Sequence, residues 1–556
     1  MRWAGDSIAG ASSAVALLPD RVASPVSWTT HVAAWQMSWR DIGGSSAGHR
    51  DLPPLSRVPS MKILFVTSEF AGLGQVGGLG DASASLPVAL RRLGFDVRVL
   101  LPAYPKVLAA FPDITWLGRL PARAEVPGCR IGVVQLPNGL PLYLVSAPSL
   151  YDRPGTPYST PEGQDWPDDH LRWARLSLAA AQIARGQGKL GWSPDLVHAN
   201  DWPCGLAPAY LHWDGTPVPS VMTIHNIAHQ GRFPANLCCG LGIPEAAFDM
   251  NGVEFYGDIS FLKAGSFYAD DVTTVSPTYA REITSEGLGG GLHGLMRSRA
   301  AAGRLSGIIN GIDDSWDPAQ DPYLHSHFDT GHLAGKRVNA DATRISLCLR
   351  PSTGPLFGIV ARLVHQKGLD LVAGVAERIV ARGGQIAILG LGDAEIEHTL
   401  LRVARCHRDD MAVLVGFNEP MARRIIAGSD FFLMPSRFEP CGLTQMQAQR
   451  YGTLPIAHAV GGLMDTIEHG VTGLLFPDLT VEGLAGACGR GLEIFANTLR
   501  FGAMRKAAMT RCFSWSTPAA AYAALYRRYG DAAVLRHVAR PVAVPRRLDM
   551  ELEAAA

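Results

Sequence analysis

Short apolar runs that end in polar residues alternate with segments of helix length along most of this chain of 556 residues. In the first half these runs are KILFVTS, DVRVLLP, LYLVSAP, DLVHAND, SVMTIHN and DVTTVSP. Strands of a parallel sheet read as continuous apolar runs because helices cover both faces of the sheet. The pattern therefore predicts a doubly wound α/β fold, in which ligands bind at the carboxyl ends of the strands.

The same pattern starts again in the second half, with PLFGIVARL, QIAILGLGD, MAVLVGF, DFFLMPSRFEP and LPIAHAVGG. The stretch 318–352 between the two series carries Pro, His, Asp and Gly and is interpreted as a connection. We therefore predict two Rossmann-like domains, 61–305 and 306–515, that face a central cleft, followed by a terminal helix over 516–530. Two facing domains suit a ligand with two ends, but the fold does not identify that ligand.

The two ends of the chain differ from the rest. Residues 1–60 are rich in Ser, Ala, Gly and Pro, fit a secretory signal poorly, and carry acidic residues that argue against an organelle transit peptide. We predict either a disordered extension or a start assigned too early, because Met61 directly precedes the first strand. The last stretch, 531–556, is predicted to be a loose tail.

Charge and cysteine usage exclude several classes of protein. Lys plus Arg and Asp plus Glu each number 50, so no overall charge attracts nucleic acid or an anionic membrane. No apolar run approaches the ~18 residues that a membrane-spanning helix needs. The nine cysteines form no C-x-x-C pair, which favours reduced thiols over a disulfide framework or a zinc site. These features predict a cytoplasmic protein without a nucleic-acid or membrane partner.

A glycine-rich segment, SEFAGLGQVGGLGDASASLP, follows the first strand. Gly77, Gly78 and Gly80 would let the backbone approach a ligand, and the start of the next helix, near Asp81, would attract an anion through its N–H groups. The segment is not G-x-G-x-x-G, so a nicotinamide cofactor is not favoured. From the glycines alone, a closely packed strand–helix turn is an equally good interpretation.

Two motifs of the second half place charged residues after strands. In ARLVHQKG, Arg362 can bind phosphate oxygens with two hydrogen bonds and Lys367 adds a compact charge, although a lone basic pair is usually solvated surface. In PSRFEPCGLTQ, Glu439 precedes a helix start whose N–H groups would hold a sugar or a phosphate. A carboxylate there is also explained by the helix dipole alone.

Two motifs of the first half place polar residues at the same sheet edge. TIHNIAHQG puts His225 after a strand, and VHANDW puts Asp201 after its neighbour. Both side chains would face the cleft, although a lone histidine more often has a structural role.

Together these motifs resemble the bacterial glycogen synthases and plant starch synthases, which are retaining glucosyltransferases of the GT-B fold. The resemblance runs from Met61 to Tyr529 and includes LYDRPGTPY, NDWPCGLAPAYL, ISFLKAG, YADDVTTVSPTYAREI and GRLSGIINGID. It implies transfer of glucose from ADP-glucose to the nonreducing end of an α-1,4-glucan, without a cofactor or a metal ion. Glycogen phosphorylases share the architecture, but this chain has no comparable context for their lysine-bound pyridoxal phosphate.

The resemblance also implies roles for single residues. Arg362 and Lys367 would hold the donor diphosphate, Glu439 would lie beside the glucose hydroxyls, and His225 would lie near the 6-hydroxyl. Phe417 would stack on adenine. The donor-binding residues would be Gln75, Gly77, Gly78, Asn310, Phe417, Cys441, Gly442, Leu443 and Thr444. The residues on the acceptor side would be Asp201 and Tyr151.

One position departs from the family pattern. The family usually reads K-T-G-G-L or K-V-G-G-L where this chain reads QVGGL, so Gln75 replaces a lysine that contacts the donor phosphates. Three interpretations remain open at this point. Arg362 and Lys367 suffice, a different nucleotide-sugar donor is used, or the protein is a glucan-binding regulatory pseudo-enzyme. The other motifs favour the first.

Overall fold

The computed structural model describes residues 60–530. The predicted extension, 1–60, lies outside the described residues except for Ser60, and the predicted tail, 531–556, lies outside them entirely.

The first half of the described chain is built on a large, mainly parallel sheet. Its strands and those of a small neighbouring sheet are β1 (Lys62–Val66), β2 (Asp96–Pro102), β3 (Thr115–Leu120), β4 (Cys129–Gln135), β5 (Pro141–Ser146), β6 (Leu196–Asn200), β7 (Ser220–Ile224), β8 (Arg232–Pro234), β9 (Glu254–Phe255), β10 (Asp258–Ser260), β11 (Asp271–Thr274) and β12 (Leu305–Gly307). Within residues 60–530 the large sheet has the order β12-β11-β7-β6-β1-β2-β5-β4-β3. Strands β12 to β5 of that order are parallel, whereas β4 is antiparallel to both neighbours. The small sheet has the antiparallel order β8-β10-β9.

Helices connect these strands. They are α1 (Gly78–Arg92), α2 (Pro105–Ala110), α3 (Pro148–Tyr151), α4 (Asp169–Ala184), α5 (Leu206–Trp213), α6 (Phe261–Tyr268), α7 (Pro277–Glu282) and α8 (His293–Ala301). Strands β1, β6 and β7 are almost entirely buried, as expected of a sheet covered on both faces.

The second half repeats the architecture with a sheet that is parallel throughout. Its strands are β13 (Leu356–Val360), β14 (Gln385–Gly390), β15 (Met411–Val415), β16 (Phe431–Met434), β17 (Leu454–His458) and β18 (Leu474–Phe476), in the order β15-β14-β13-β16-β17-β18. Its helices are α9 (Ala334–Ser346), α10 (Leu369–Val380), α11 (Ala394–Cys406), α12 (Glu419–Gly428), α13 (Thr444–Arg450), α14 (Gly461–Thr466), α15 (Val481–Ala496) and α16 (Thr498–Met509). The predicted pair of doubly wound sheets is confirmed.

The last described helix, α17 (Ser516–Arg527), returns to the first half. Its Tyr522 and Tyr526 belong to the hydrophobic core of the large sheet, and the Tyr526 hydroxyl lies 2.6 Å from Nδ1 of His198 in β6. Where the chain crosses back, the Ile312 N–H donates to the Phe513 carbonyl at 2.9 Å. The two passages of the chain between the domains therefore run side by side.

Three elements differ from the sequence-based expectation. The first helix was expected to begin near Asp81 but begins at Gly78, inside the glycine-rich segment that also suits a turn. The stretch 318–352, predicted as a connection, contains α9, whose buried face is formed largely by polar side chains such as Lys336 and Arg344 and is therefore not an apolar run. Strand β12 extends two residues beyond the predicted domain boundary at residue 305.

Candidate active site

The strand ends that were predicted to bind a ligand come from both sheets. β6 and β7 end one residue before Asp201 and His225, and β13 ends two residues before Arg362. The two edges meet at Gly78 and Leu443, because a Cβ on Gly78 would come within 3.3 Å of the Leu443 Cδ1 atom. The structure thus brings the glycine-rich segment of one domain against the PSRFEPCGLTQ motif of the other.

Lys367 and Glu439 form an ion pair at the edge of the second sheet. The Lys367 Nζ lies 2.6 Å from the Glu439 Oε2, and the Ser436 hydroxyl donates to the same oxygen at 3.0 Å. The side chain of Glu439 is 6 % exposed and that of Lys367 is 19 % exposed. Because little water screens this pair, each charge strongly orients the other. The sequence placed both residues in the site without predicting that they touch.

Arg437 holds the backbone of the Lys367 turn. Its guanidinium donates to both carboxylate oxygens of Asp370, at 2.9 and 2.8 Å, and to the His365 carbonyl at 2.7 Å. Gly368 ends the turn with φ +65°, and a Cβ there would lie 1.9 Å from the Pro435 carbonyl oxygen. The turn is therefore fixed from both sides before any ligand binds.

Two glycines hold the backbone of Glu439. The Gly462 N–H donates to the Glu439 carbonyl at 3.0 Å. Gly461 has φ +45°, and a Cβ on it would lie 1.9 Å from the same carbonyl oxygen. Only glycine fits at position 461, so this close approach fixes where the Glu439 carboxylate stands.

Arg362 differs from Lys367 because its charge is not neutralised by the protein. Its side chain is exposed, and within residues 60–530 no hydrogen bond or ion pair engages its guanidinium. Burial and the positive charge of Arg362 together lower the pKa of His229, which lies on the other domain. Arg362 therefore stands at the cleft as a cation ready to bind an anion.

His225 is a neutral imidazole, and its hydrogen-bond partner Asn200 determines which ring nitrogen carries the proton. Its Nε2 lies 3.1 Å from the Asn200 Oδ1, while the Asn200 Nδ2 donates to the Val66 carbonyl at 3.0 Å. The amide oxygen of Asn200 therefore accepts, and the His225 proton lies on Nε2. Burial lowers the pKa of His225 to about 4, so the ring is neutral at pH 7. Nδ1 is left as an acceptor for a hydroxyl group.

Asp201 has a backbone conformation that is almost exclusive to glycine. Its φ is +58° and its ψ is 176°, which typically costs about 1–3 kcal/mol for a residue with a side chain. Its carboxylate accepts the His225 N–H at 3.2 Å, and burial raises the pKa of Asp201 to about 7. Asp201 thus positions His225. Because Asp201 is buried, it lies further from the surface of the cleft than its predicted role on the acceptor side would require.

Glu69 organises the glycine-rich segment from within. Its Oε2 accepts the N–H groups of Val76 and Gly77 at 2.7 and 2.9 Å, and its Oε1 accepts the Tyr158 hydroxyl at 2.8 Å. The backbone N–H of Gly77, one of the predicted donor-binding residues, is therefore bound to a carboxylate of the protein. The signal for Glu69 was present in the sequence, since it follows β1 at the ligand-binding edge of the sheet.

Gln75 is exposed but folds back onto its own segment. Its Nε2 donates to the Gly77 carbonyl at 3.2 Å, and its side chain lies against Gly80. The next carboxylate, Asp81, is largely desolvated. Burial raises the pKa of Asp81 to about 6, although a hydrogen bond from Gln75 acts in the opposite direction. The sequence signalled Asp81 as a residue of the helix start but not as a partner of Gln75.

Asn310 lies beside the segment 441–444, which carries the remaining donor-side residues. Asn310 is buried, and its backbone N–H hydrogen bonds to the sulfur of Cys441. Burial raises the pKa of Cys441 to about 12, so this residue is a thiol at neutral pH. Gly442 has φ +70° and lies over Gln445. Leu443 precedes α13, which begins at Thr444.

Phe417 is 82 % exposed, which is unusual for an aromatic side chain in a folded domain. Leu391, just after β14, and Val415, the last residue of β15, are also exposed, and these two strands are neighbours in the sheet. The three side chains offer an apolar surface at the carboxyl edge of the second sheet. Such a surface suits a planar ring, as the predicted role of Phe417 requires.

Tyr151 is not at the cleft. It is 1 % exposed, and its hydroxyl donates to the Arg172 carbonyl at 2.6 Å inside the core. The predicted acceptor contact of Tyr151 is therefore wrong, because burial leaves no surface for a glucan. The motif LYDRPGTPY instead reaches the site through Tyr158, which binds Glu69.

Helix α7 of the first domain is attached to the second domain beside the site. The Thr278 N–H and hydroxyl both donate to Asp465, each at 2.8 Å, and the Glu282 Oε1 accepts the Gly461 N–H at 2.8 Å. The Ser276 hydroxyl donates to the Pro440 carbonyl at 2.6 Å. The two domains are thus joined next to the backbone that carries Glu439.

Two further features bear on ligands. Between Ser60 and Gly530, no group of three or more His, Cys, Asp or Glu side chains is placed to hold a metal ion. In the same range, no helix is both long and apolar enough to cross a bilayer.

Comparison with known proteins identifies the relatives of this chain. Residues 62–298 match the starch synthase catalytic domain, and residues 354–493 match the glycosyl transferases group 1. A glycogen synthase of Pseudomonas syringae pv. syringae is 51 % identical over 473 residues, which cover 85 % of this chain and 97 % of that protein. Glycogen synthase 1 of Bradyrhizobium diazoefficiens is 50 % identical over 454 residues, which cover 82 % and 98 %.

Solved structures show the same relationship. The catalytic domain of starch synthase IV from Arabidopsis thaliana, bound to ADP and acarbose, superposes with a TM-score of 0.75 at 30 % identity, covering 85 % of this chain and all of that one. Sucrose-phosphate synthase from Thermosynechococcus elongatus gives a TM-score of 0.55 at 20 % identity, over 85 % of this chain and all of that one, and shows the fold alone.

Two facing α/β domains, with two cations and a carboxylate after the neighbouring strands β13 and β16 of the second sheet, define a GT-B glycosyltransferase. The sequence identities of about half to two glycogen synthases, over most of the chain, narrow the assignment from this fold class to one family. This chain belongs to the glycogen synthase and starch synthase family and is a glucosyltransferase.

Proposed function

We propose that this enzyme transfers glucose from ADP-glucose to the nonreducing end of an α-1,4-glucan, with retention of configuration. The observation that carries the proposal is the pair of cations after β13. Among residues 60–530 the Arg362 guanidinium has no hydrogen-bond or ion-pair partner, and Lys367 is held against Glu439. A related starch synthase binds ADP and acarbose, a nucleotide and an oligosaccharide analogue, in the same fold.

The cations act on the leaving group. Breaking the bond between glucose and diphosphate creates a positively charged, oxocarbenium-like sugar and increases the negative charge on ADP. Arg362 and Lys367 would receive that charge, and fixed donors of this kind typically contribute ~2.7–4 kcal/mol each to lowering the barrier. This role needs no cofactor and no metal ion, and we propose that none takes part.

The polar groups of the cleft hold the sugar. Neutral His225 would accept a hydrogen bond from the glucose 6-hydroxyl at Nδ1, because its Nε2 proton is already donated to Asn200. Glu439 would accept hydrogen bonds from the other hydroxyls. Its Oε2 already accepts hydrogen bonds from Lys367 and Ser436, and these bonds make the Glu439 carboxylate a poor nucleophile. We therefore propose front-face attack by the glucan hydroxyl, without a covalent intermediate of the kind that retaining glycosidases form.

Closure of the cleft would exclude water. Water competes with the glucan for the activated sugar and would waste the donor, so the two domains must approach before the bond breaks. The contacts of α7 with Asp465 and Gly461 supply a fixed point around which such a movement can occur.

The proposal that ADP-glucose is the donor rests on the exposed apolar surface of Phe417, Leu391 and Val415, which would bind the nucleobase. Phe417 is exposed beside Leu391 and Val415, and an adenine ring would cover it. We also propose a cytoplasmic location, since none of the nine cysteines, all of which lie in the described residues, is paired in a disulfide.

Radiolabelled ADP-glucose and UDP-glucose, each incubated with glycogen and the purified protein, test the proposal. We expect label in polymer from ADP-glucose, and release of the label by an exo-acting enzyme specific for nonreducing α-1,4 ends. Faster incorporation from UDP-glucose would overturn the donor assignment. Glycogen binding without incorporation from either donor would identify a regulatory glucan-binding protein instead.

A further inference from the structure

Helix α7 of the first domain contacts the second domain at both of its ends. Ser276, the residue before the helix, donates its hydroxyl to the Pro440 carbonyl at 2.6 Å. Glu282, the last residue of the helix, accepts the Gly461 N–H at its Oε1, over 2.8 Å. At 1.5 Å per residue, the 6 residues of α7 separate these contacts by ~9 Å. One rigid element of the first domain thus holds two separate points of the second.

Both of these points are tied to the backbone of Glu439. Pro440 is the next residue in the chain. Gly461 has φ +45° and approaches so closely that a Cβ on it would lie 1.9 Å from the Glu439 carbonyl oxygen. The N–H of Gly462 donates to the same oxygen at 3.0 Å. A shift of Gly461 would therefore move the backbone of Glu439 with it.

Glu282 makes its contact with Gly461 at an energetic cost. Its Oε2 is shielded from solvent, and among residues 60–530 no donor reaches that oxygen. Burial raises the pKa of Glu282, whereas the hydrogen bond from the Gly461 N–H lowers it. A buried carboxylate oxygen without a partner destabilises the fold. Because α14 begins at Gly461, a negative charge there also stabilises that short helix, and this alternative predicts that the charge matters and not the acceptor.

We propose that Glu282 is a positioning residue for glucosyl transfer, which fixes the backbone of Glu439, and with it the carboxylate beside the donor sugar, by binding the Gly461 N–H. This role rests on the glucosyl transfer proposed above. Glu282 does not itself touch the substrate. The rate of the reaction therefore depends on a hydrogen bond between the two domains as well as on the residues that line the cleft.

Two conservative variants separate the acceptor from the charge. Glu282→Gln keeps an oxygen that can reach the Gly461 N–H but removes the charge, whereas Glu282→Asp keeps the charge and withdraws the oxygen by one methylene group. We expect Glu282→Asp to lower kcat by about 10-fold, because Glu439 is misplaced. Glu282→Gln should keep at least about half of kcat. The reverse order, or equal kcat in both variants, would overturn the proposal.

The KM for ADP-glucose should change by less than about twofold in both variants, because Arg362 and Phe417 lie on other elements. Thr278→Val is the matched control for a looser domain contact. It removes the hydroxyl of α7 that donates to Asp465, while the Thr278 N–H still donates to that residue. It should lower the melting temperature but change kcat by less than about twofold. A tenfold fall in kcat for Thr278→Val would show that any loosening between the domains slows the reaction, and this would overturn the specific role of Glu282.

Hydrogen exchange tests the bond without a substrate. We expect the amides of the segment 459–463 to exchange about fivefold faster in Glu282→Asp than in the natural chain, and Glu282→Gln to exchange like the natural chain. Exchange that is equally slow in all three proteins would overturn the proposal. If the natural chain instead transfers no glucose from any donor, the function proposed above fails while the exchange result still stands, so the two failures are distinguishable.

Discussion

Lys367 Nζ lies 2.6 Å from Glu439 Oε2, so the cation that would bind the donor diphosphate is already paired in the free enzyme. An incoming diphosphate must share Lys367 with this carboxylate, and Glu439 is then held where the glucose hydroxyls arrive. Arg362 has no such partner among the described residues. The two cations of one loop therefore differ in their pairing, and we propose that Arg362 captures the phosphate while Lys367 links phosphate and sugar.

Removing either cation should abolish most turnover without unfolding the protein. We expect Lys367→Ala and Arg362→Ala each to lower kcat/KM by about 100- to 1000-fold, which corresponds to the ~2.7–4 kcal/mol typical of one transition-state donor. Arg402→Ala, on the exposed face of α11, is the control. Steady-state rates with ADP-glucose and glycogen measure the effect. Near-normal activity of either cleft variant would remove that residue from the diphosphate role.

Truncating Glu439 should affect the fold as well as the reaction. Glu439→Ala leaves Lys367 and Ser436 without their shared acceptor, and such losses typically cost ~1–3 kcal/mol of unfolding free energy. Glu439→Gln keeps an oxygen for hydrogen bonding and should unfold at a higher temperature than the alanine variant. Both should have strongly reduced kcat. If Glu439→Gln retains full kcat, the carboxylate charge takes no part in catalysis.

Asp201 should make the protein less stable as the pH rises. Its pKa is about 7 when folded and about 3.8 when exposed, so between pH 4 and 7 the folded state binds more protons than the unfolded state. The contribution of this group to stability is therefore present at low pH and is lost as the pH rises through about 7. Asp201→Asn keeps the acceptor for the His225 N–H and should remove this slope, gaining roughly 2–4 kcal/mol relative to the natural chain at pH 8.

Melting temperatures of both proteins across pH 4–8 check this prediction. Asp152→Asn, at an exposed carboxylate, controls for the change in net charge. If the melting temperatures of the natural chain and of Asp201→Asn change in parallel with pH, ionisation of Asp201 costs the folded state little free energy.

His225 should recognise the 6-hydroxyl through its unprotonated Nδ1. A single neutral hydrogen bond contributes ~0.5–1.5 kcal/mol, so His225→Ala should lower kcat/KM for ADP-glucose by about 2- to 13-fold. The enzyme should also discriminate against a 6-deoxyglucose donor, and the variant should not. Equal discrimination by both proteins would place His225 away from the 6-hydroxyl.

Phe417 should contribute to donor binding and not to stability. Loss of an aromatic ring stacked on a base typically costs ~1–3 kcal/mol, so Phe417→Ala should raise the KM for ADP-glucose by about 5- to 150-fold. Its melting temperature should not change, because the ring is 82 % exposed. Leu499→Ala, at another exposed apolar residue, should alter neither quantity. An unchanged KM for Phe417→Ala would place the adenine elsewhere.

The sequence predicted the parallel strands well because burial on both faces makes them continuous apolar runs. β3 and β4 were missed because one face of each is partly exposed and their apolar runs are broken. α9 was missed because polar side chains form much of its buried face. The Lys336 ammonium, for example, lies in the core and donates hydrogen bonds to three protein acceptors. A buried lysine gives no apolar signal in a sequence, although it is as constrained as leucine once its hydrogen bonds form.

For the site, sequence motifs identified residue types at strand ends but not their contacts. The Lys367–Glu439 pair joins residues 72 positions apart, and no local sequence pattern predicts a contact between residues so far apart in the chain. Tyr151 shows the converse limit, because the resemblance placed this residue on the acceptor side whereas its side chain fills the core. Gln75 was recognised as a departure, but the hydrogen bond of its amide to the Gly77 carbonyl required coordinates.

The return of α17 to the first domain affects the order in which the protein folds during synthesis. Tyr526 completes a core whose last strand, β12, ends at Gly307. Synthesis of the intervening chain, at ~5–20 residues per second, takes roughly 10–45 s. During that time the nascent first domain has its sheet but leaves the surface around His198 uncovered. The ribosome must therefore deliver the entire second domain before Tyr526 can cover His198, so the first domain completes its core only after the second has been synthesised.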